Sequence, residues 1–297
     1  MANVLELKAL TKSYGNDFKA LQNINLTLQE NKIYGLLGRN GAGKTTLLHL
    51  ITAQLFPSSG DIKVFGKAPY ENTEVLRQIC FIKESQKYPD TFRVRDVLAV
   101  ASSLYPNWDS SMANSLISEF RLPVKRRVKK LSRGMLSSVG IIIGLASRAP
   151  LTIFDEPYLG LDAVARELFY DRLIQDYMEF PRTIILSTHL IDEISAMLEH
   201  VIVLDHGKLL MNEEAEQFRG SAFIVSGKQA DVESFIADKE VLHQEGLGSM
   251  RSAVVLTGGN KDFRKQAELN RLSLNPVSLQ QLMVQLTKHS NREEVNK

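Results

Sequence analysis

The chain reads as an α/β fold, a mostly parallel sheet covered by helices and interrupted by a helical insertion, followed by a smaller α+β domain. Three observations predict this. Short apolar runs of strand type alternate with segments of helical spacing from the start to about residue 210. One glycine-rich turn sits between such a strand and such a helix. Near residue 220 the rhythm changes to a second series of shorter elements.

The clearest strands are Ile33–Leu37, Leu151–Phe154, Thr183–Leu186 and His200–Leu204. Each is a near-continuous apolar run, the pattern of a strand buried on both faces. Between the first two, apolar positions recur at helical spacing from Val94 to Leu131, as in Val97-Leu98-Val100-Ala101-Leu104 and Met112-Leu116-Ile117-Phe120. A helical subdomain is therefore expected over about 94–148. Glu213–Gly220 reads as the end of a helix leading into a linker, which divides the chain into domains 1–219 and 220–297. The second domain reads as strand Ala222–Ser226, helix Ala230–Ala237, strand Val241–Gln244 and strand Arg251–Leu256. Helix Asp262–Asn270, strand Leu272–Leu274 and helix Ser278–Lys288 follow. That is the βαββαβ order of ferredoxin-like folds with one added helix. The polar tail Asn291–Lys297 is expected to fray.

Composition narrows the classes. The chain is 44% hydrophobic and 24% charged, and its net charge of +2 makes no electrostatic case for nucleic acid. The longest apolar stretch, Val139–Ala146, is followed by Ser147 and Arg148 and falls far short of the about 20 residues of a membrane span. The amino terminus lacks a basic region followed by an apolar core, and the lone Cys80 fits a reducing compartment, so a cytoplasmic protein is expected. Beside Ile79 and Phe81, Cys80 reads as a small buried residue.

The chemistry begins at Gly38-Arg39-Asn40-Gly41-Ala42-Gly43-Lys44-Thr45-Thr46, which fits the G-x-x-x-x-G-K-[ST] phosphate-loop template. Glycines let the backbone curl so that successive N–H groups point at phosphate oxygens. Lys44 brings a positive charge to the β and γ phosphates, and the Thr45 hydroxyl suits Mg²⁺. The strand Leu151–Phe154 runs into two acids. Asp155 is placed to bind Mg²⁺, and Glu156 beside it to act as general base on an attacking water.

Taken together, these motifs resemble the ATP-binding subunits of ABC transporters over about residues 3–215. The resemblance implies the P-loop ATPase fold of that family, with ATP and Mg²⁺ as its ligands. It places Tyr14, in Thr11-Lys12-Ser13-Tyr14-Gly15, as an aromatic that stacks on adenine; the alternative is a hairpin aromatic facing the core. Leu131-Ser132-Arg133-Gly134-Met135 occupies the signature position, where Ser132 and Gly134 would act in trans on the ATP of a second subunit. Gly160-Leu161-Asp162 resembles the D-loop that crosses the dimer seam, and His189 the switch histidine that contacts the γ-phosphate. Two subunits, identical or not, would sandwich two ATP and drive a separate membrane-spanning permease from the inner face of the membrane. The segment around Tyr88, Pro89 and Phe92 is where the family docks that partner; the alternative is that these aromatics pack under the helical insertion. Pro276–Met283 resembles the tail of single-cassette, exporter-type ATPases.

Two positions depart from the family pattern. The signature carries Arg133 and Met135 where Leu-Ser-Gly-Gly-Gln is usual, and Glu84 stands where a glutamine normally reaches Mg²⁺ and water, with Gln86 two residues on. An ionised carboxylate can bind Mg²⁺ but cannot donate as an amide can. Glu84 is therefore a candidate metal ligand, or a solvent-facing residue. Arg133 either adds a cation near the phosphate or points outward. Two rival functions stay open: a non-transport ATPase of the family, and a regulatory module that binds ATP but hydrolyses it slowly. Against the first stand the single phosphate loop, the lack of sustained heptads and the single cysteine; against the second, the presence of both Glu156 and His189.

Overall fold

The computed structural model describes residues 2–15, 18–84, 86–258 and 262–295. Its elements begin with β1 (Asn3–Tyr14), β2 (Phe18–Gln29), β3 (Ile33–Leu37), α1 (Lys44–Ile51), β4 (Ser59–Val64), α2 (Thr73–Leu76) and β5 (Ile79–Ile82). The helical insertion supplies α3 (Val94–Leu104), α4 (Ser110–Glu119) and α5 (Arg133–Ala146). Then come β6 (Leu151–Asp155), α6 (Ala163–Glu179), β7 (Thr183–Thr188), α7 (Ile191–Ile194), β8 (His200–Asp205) and β9 (Lys208–Glu214). The last series is α8 (Ala215–Gly220), β10 (Ala222–Lys228), α9 (Gln229–Ile236), β11 (Val241–Leu247), β12 (Met250–Leu256), α10 (Phe263–Leu269), β13 (Ser273–Pro276) and α11 (Leu279–Val295). Two compact units result, Met1–His189 with Ile202–Asn212, and Leu190–Val201 with Glu213–Lys297. Glu213 and Glu214 end a strand, so of the helix end expected at Glu213–Gly220 only Ala215–Gly220 is helical.

In the first unit, six strands form a sheet in the order β5-β6-β7-β3-β8-β9, with parallel pairs β5–β6, β6–β7 and β3–β7. All four strands expected from apolar runs are present, and every residue of β3, β6 and β7 is buried. The expected alternation does not extend to the amino terminus. There β1, β2 and β4 make a separate antiparallel sheet in the order β2-β1-β4. The period of two is present in β2, where Ile24, Leu26 and Leu28 are buried between exposed Asn25 and Thr27. A register shift between Leu10 and Lys12, with Asn23 opposite at φ 51°, puts Leu21 out of phase with that run.

Side chains of α1, Leu47, Leu48, Leu50 and Ile51, join one core with Leu5, Leu21, Leu36, Ile153 and Ile185 from both sheets. The helices α3 and α4 pack on α5, whose apolar run Val139–Ala146 is wholly buried. Close approach is what α5 requires of its sequence. A Cβ on Gly144 would lie 2.3 Å from the Phe154 ring, which itself meets Phe169 of α6 edge-on at 5.2 Å.

The second unit holds a four-stranded antiparallel sheet in the order β11-β12-β10-β13. Its core is Phe223, Val225, Val232, Phe235, Val255 and Phe263. Within this unit Asp192 accepts from the Ser278 hydroxyl at 3.3 Å and the Gln280 N–H at 3.3 Å. The tail expected to fray begins inside α11, and residues 296–297 lie outside the described residues.

Gly144→Ala is expected to destabilise the chain by about 1–3 kcal/mol, because a buried ring must move. Gly220→Ala, where an added Cβ meets nothing within 4 Å, is expected to change stability by under about 1 kcal/mol. Urea midpoints of the two variants check the contrast.

Candidate active site

Three neighbouring parallel strands end level with one another. Leu37 pairs with Thr188, and Asp155 with Ser187, so the loop after β3, the acids at the end of β6 and His189 after β7 share one edge of the sheet. Ligands of open α/β sheets bind at such carboxyl ends.

The loop 38–43 turns on Gly38, Gly41 and Gly43 at φ 154°, 82° and 105°. At Gly38 a Cβ would lie 2.4 Å from the Leu204 carbonyl oxygen, and at Gly43 2.6 Å from that of Ala20. Packing alone thus demands both glycines. Nothing crowds Gly41, which is exposed with Arg39 and Asn40, while Ala42 is buried and its carbonyl accepts from the Gly207 N–H at 3.1 Å. Lys44 opens α1 and is buried. Its ammonium donates to the Gly38 and Arg39 carbonyls at 2.7 and 3.4 Å. Burial lowers the Lys44 pKa, and the charges of Glu156 and Asp155 oppose that shift.

Thr45 Oγ1 donates to Asp155 Oδ2 at 2.9 Å, joining loop to acid strand. Asp155 Oδ1 is buried with no hydrogen-bond partner among the described residues. A hydroxyl and a carboxylate with an orphaned oxygen fit a hard divalent cation such as Mg²⁺, with water and phosphate oxygens to complete its shell. The described residues hold no cluster of three or more acidic, histidine or cysteine ligands that would bind a metal alone. Thr46 follows, half-buried, in α1.

Glu156 turns the chain in the left-handed region at φ 50°. For a residue with a Cβ this costs on the order of 1–2 kcal/mol. Its N–H donates to the Ser187 carbonyl at 3.0 Å. The carboxylate Oε2 lies 3.0 Å from His189 Nδ1 and accepts a short hydrogen bond from the Tyr158 hydroxyl. Tyr158 is a residue that motif reading passes over. Buried to 3% exposure, it also accepts from Thr188 Oγ1 at 2.7 Å and from the His189 N–H at 3.2 Å. Burial, reinforced by the bond to Glu156, raises its pKa and keeps the phenol protonated. Its one sequence signal is an aromatic two residues after a strand-end acid.

The remaining candidates stand elsewhere. Tyr14 faces out of the hairpin rather than into the core, 43% exposed, stacked on Phe18 at 6.5 Å with Lys12 Nζ 5.1 Å over its ring. Ser132 caps α5, its Oγ accepting from the Met135 N–H at 3.2 Å. Gly134 is pressed against Gly160 of its own chain, where a Cβ would lie 2.4 Å from the Gly160 carbonyl oxygen. Ser132 and Gly134 line a separate cleft with Glu119, Arg121, Gly160 and Asp162. Arg133 points outward, and its Nη2 donates to Glu84 Oε1 at 3.1 Å. The two departures from the family pattern therefore meet each other. Gln86 lines the same cleft as that pair, its side-chain oxygen buried without a partner among the described residues.

Comparison with known proteins supplies the class of chemistry. The family model described as ABC transporter matches residues 21–159. The ABC transporter ATP-binding protein YtrB of Bacillus subtilis (strain 168) is 24% identical over 284 residues, 95% of this chain and 97% of its own length. The bacitracin transport ATP-binding protein BcrA of Bacillus licheniformis is 33% identical over 215 residues, 71% of this chain and 69% of its own. In fold, the chain matches the dimeric post-hydrolysis structure of the ATP-binding cassette MJ0796 bound to ADP and Pi. The TM-score is 0.63 at 23% identity, over 71% of this chain and 98% of that one. The identity to BcrA, sustained over two thirds of both chains, turns a phosphate loop facing two acids into a specific assignment: this chain belongs to the ABC transporter family as an ATP-binding subunit, an ATPase.

Proposed function

We propose that this chain powers export through a separate membrane-spanning permease, working as one of two cassettes that enclose two ATP between them. The observation that carries the chemical part is the meeting of Lys44, the Thr45–Asp155 pair and the Glu156–His189 pair at one sheet edge. The curled backbone of residues 38–46 receives the phosphates, with Lys44 turning from the loop carbonyls to phosphate oxygens. Thr45 and Asp155 would hold Mg²⁺, whose positive charge would offset that of the phosphates. Glu156 takes the proton of the attacking water, and His189 orients the water and the γ-phosphate. Tyr14, exposed at the hairpin end, offers its face to adenine.

The exposed Ser132 and the adjoining Gly134, in a cleft apart from the phosphate loop of their own chain, support action in trans on the ATP of a second copy or a related cassette. The MJ0796 cassette is dimeric with ADP and Pi bound. A separate permease, and a place at the inner face of the membrane, are supported by the family and by relatives named as ATP-binding proteins of transporters, such as YtrB and BcrA. Export is supported by the name of one relative, the Nod factor export ATP-binding protein I of Cupriavidus metallidurans, 29% identical over 214 residues. For the second unit we propose a dimer contact or a regulatory ligand site. Glu84 is proposed as a Mg²⁺ ligand that becomes available when it leaves Arg133. The pair is half-exposed, 62% and 46% at its two side chains, so breaking it costs at most about 1 kcal/mol.

Two measurements test this reading. Glu156→Gln is expected to lower steady-state MgATP turnover by about 100-fold or more while ATP still binds; an unchanged rate would favour a binding module. Arg133→Ala is expected to lower the Mg²⁺ concentration for half-maximal hydrolysis and Glu84→Gln to raise it. If neither moves the Mg²⁺ titration, Glu84 has no part in holding the metal.

A further inference from the structure

We infer that Tyr158 is a positioning residue for hydrolysis: its hydroxyl ties the Glu156 carboxylate to Thr188 and His189, so that base and switch histidine are set as one unit. This rests on the reading of Glu156 as the base. A phenol has one proton to donate and two lone pairs to accept with. The proton goes to Glu156 Oε2, and the lone pairs receive Thr188 Oγ1 at 2.7 Å and the His189 N–H at 3.2 Å. The hydroxyl is then saturated. His189 Nδ1, although 3.1 Å from it, has no lone pair left to meet there and turns its proton to Glu156 Oε2 at 3.0 Å. That assigns the histidine tautomer and leaves Nε2 as the nitrogen for a ligand.

The consequence for catalysis is geometric. With Oε2 holding two donors, Oε1 is the oxygen that takes the water's proton, and its direction is set by the tyrosine. Glu156 is joined to β7 through its N–H on the Ser187 carbonyl and, by way of Tyr158, through the side chain of Thr188 and the backbone of His189. A displacement of His189 by an arriving γ-phosphate is thereby passed to the base. The ring supports the same arrangement, meeting the His189 ring at 5.7 Å and 67°.

Tyr158→Phe keeps the ring and removes the tie. In the full chain with MgATP it is expected to lower kcat about 10-fold to 100-fold, with KM for ATP changed by less than about 2-fold. In a Glu156→Gln background the same substitution is expected to alter the residual rate by less than about 2-fold, since its effect passes through Glu156. An unchanged kcat, or an equal loss in both backgrounds, overturns the role. Should Tyr158→Phe fail to fold, Thr188→Val withdraws one donor and is expected to lower kcat several-fold at constant KM; an unchanged kcat there overturns it too. Full turnover by Glu156→Gln alone would instead remove the base, a distinct failure that takes the positioning role with it.

Discussion

The site depends on the parallel pairing of β7 between β6 and β3. Its six residues, Thr183–Thr188, are all buried; Thr183–Ser187 pair with β6 and Ile184–Thr188 with β3, and the register levels the ends of all three strands. Parallel neighbours cannot be joined by a tight turn, so residues far apart along the chain are delivered to one edge. A register error on either side would shift Asp155 or the phosphate loop along the strand axis by about 3.3 Å per residue, more than the Thr45–Asp155 bond of 2.9 Å can span. Burial on both faces is what forbids it, since a one-residue slip would exchange the side chains of the two faces.

Glycines in the functional motifs serve this framework as much as any ligand. Gly38 and Gly43 admit the carbonyls of Leu204 and Ala20, and Gly134 admits that of Gly160, each at a distance no Cβ tolerates. The signature helix α5 is further bound to the segment after Glu156 by the Ser137 hydroxyl, which donates to the Leu159 carbonyl at 2.6 Å. The segments at Gly134, Ser137, Leu159 and Gly160 therefore pack together within a single chain. Movement of any of them carries the others, because close-packed interiors shift as blocks.

Much of this was legible in the sequence, for identifiable reasons. Strands buried on both faces write continuous apolar runs, which is why β3, β6, β7 and β8 stand out, and phosphate loops need glycine and lysine at fixed spacing. The amino-terminal hairpin was obscured because a register shift splits its alternation into two phases. The Arg133–Glu84 pair was invisible as a pair: each residue was notable alone, but 49 positions separate them and only the fold joins them. Tyr158 escaped for a similar reason, since its partners Thr188 and His189 lie 30 and 31 residues on.

Those two surprises differ in physical weight, and burial decides the difference. Arg133–Glu84 is a solvated pair whose attraction is screened and whose loss costs little. Tyr158 is enclosed, with three hydrogen bonds in a region where an unpaired donor or acceptor is expensive. The exposed pair can break and re-form at little cost. The enclosed tyrosine cannot let go of one partner without stranding the others. Whatever moves His189 must therefore move the Glu156 carboxylate with it.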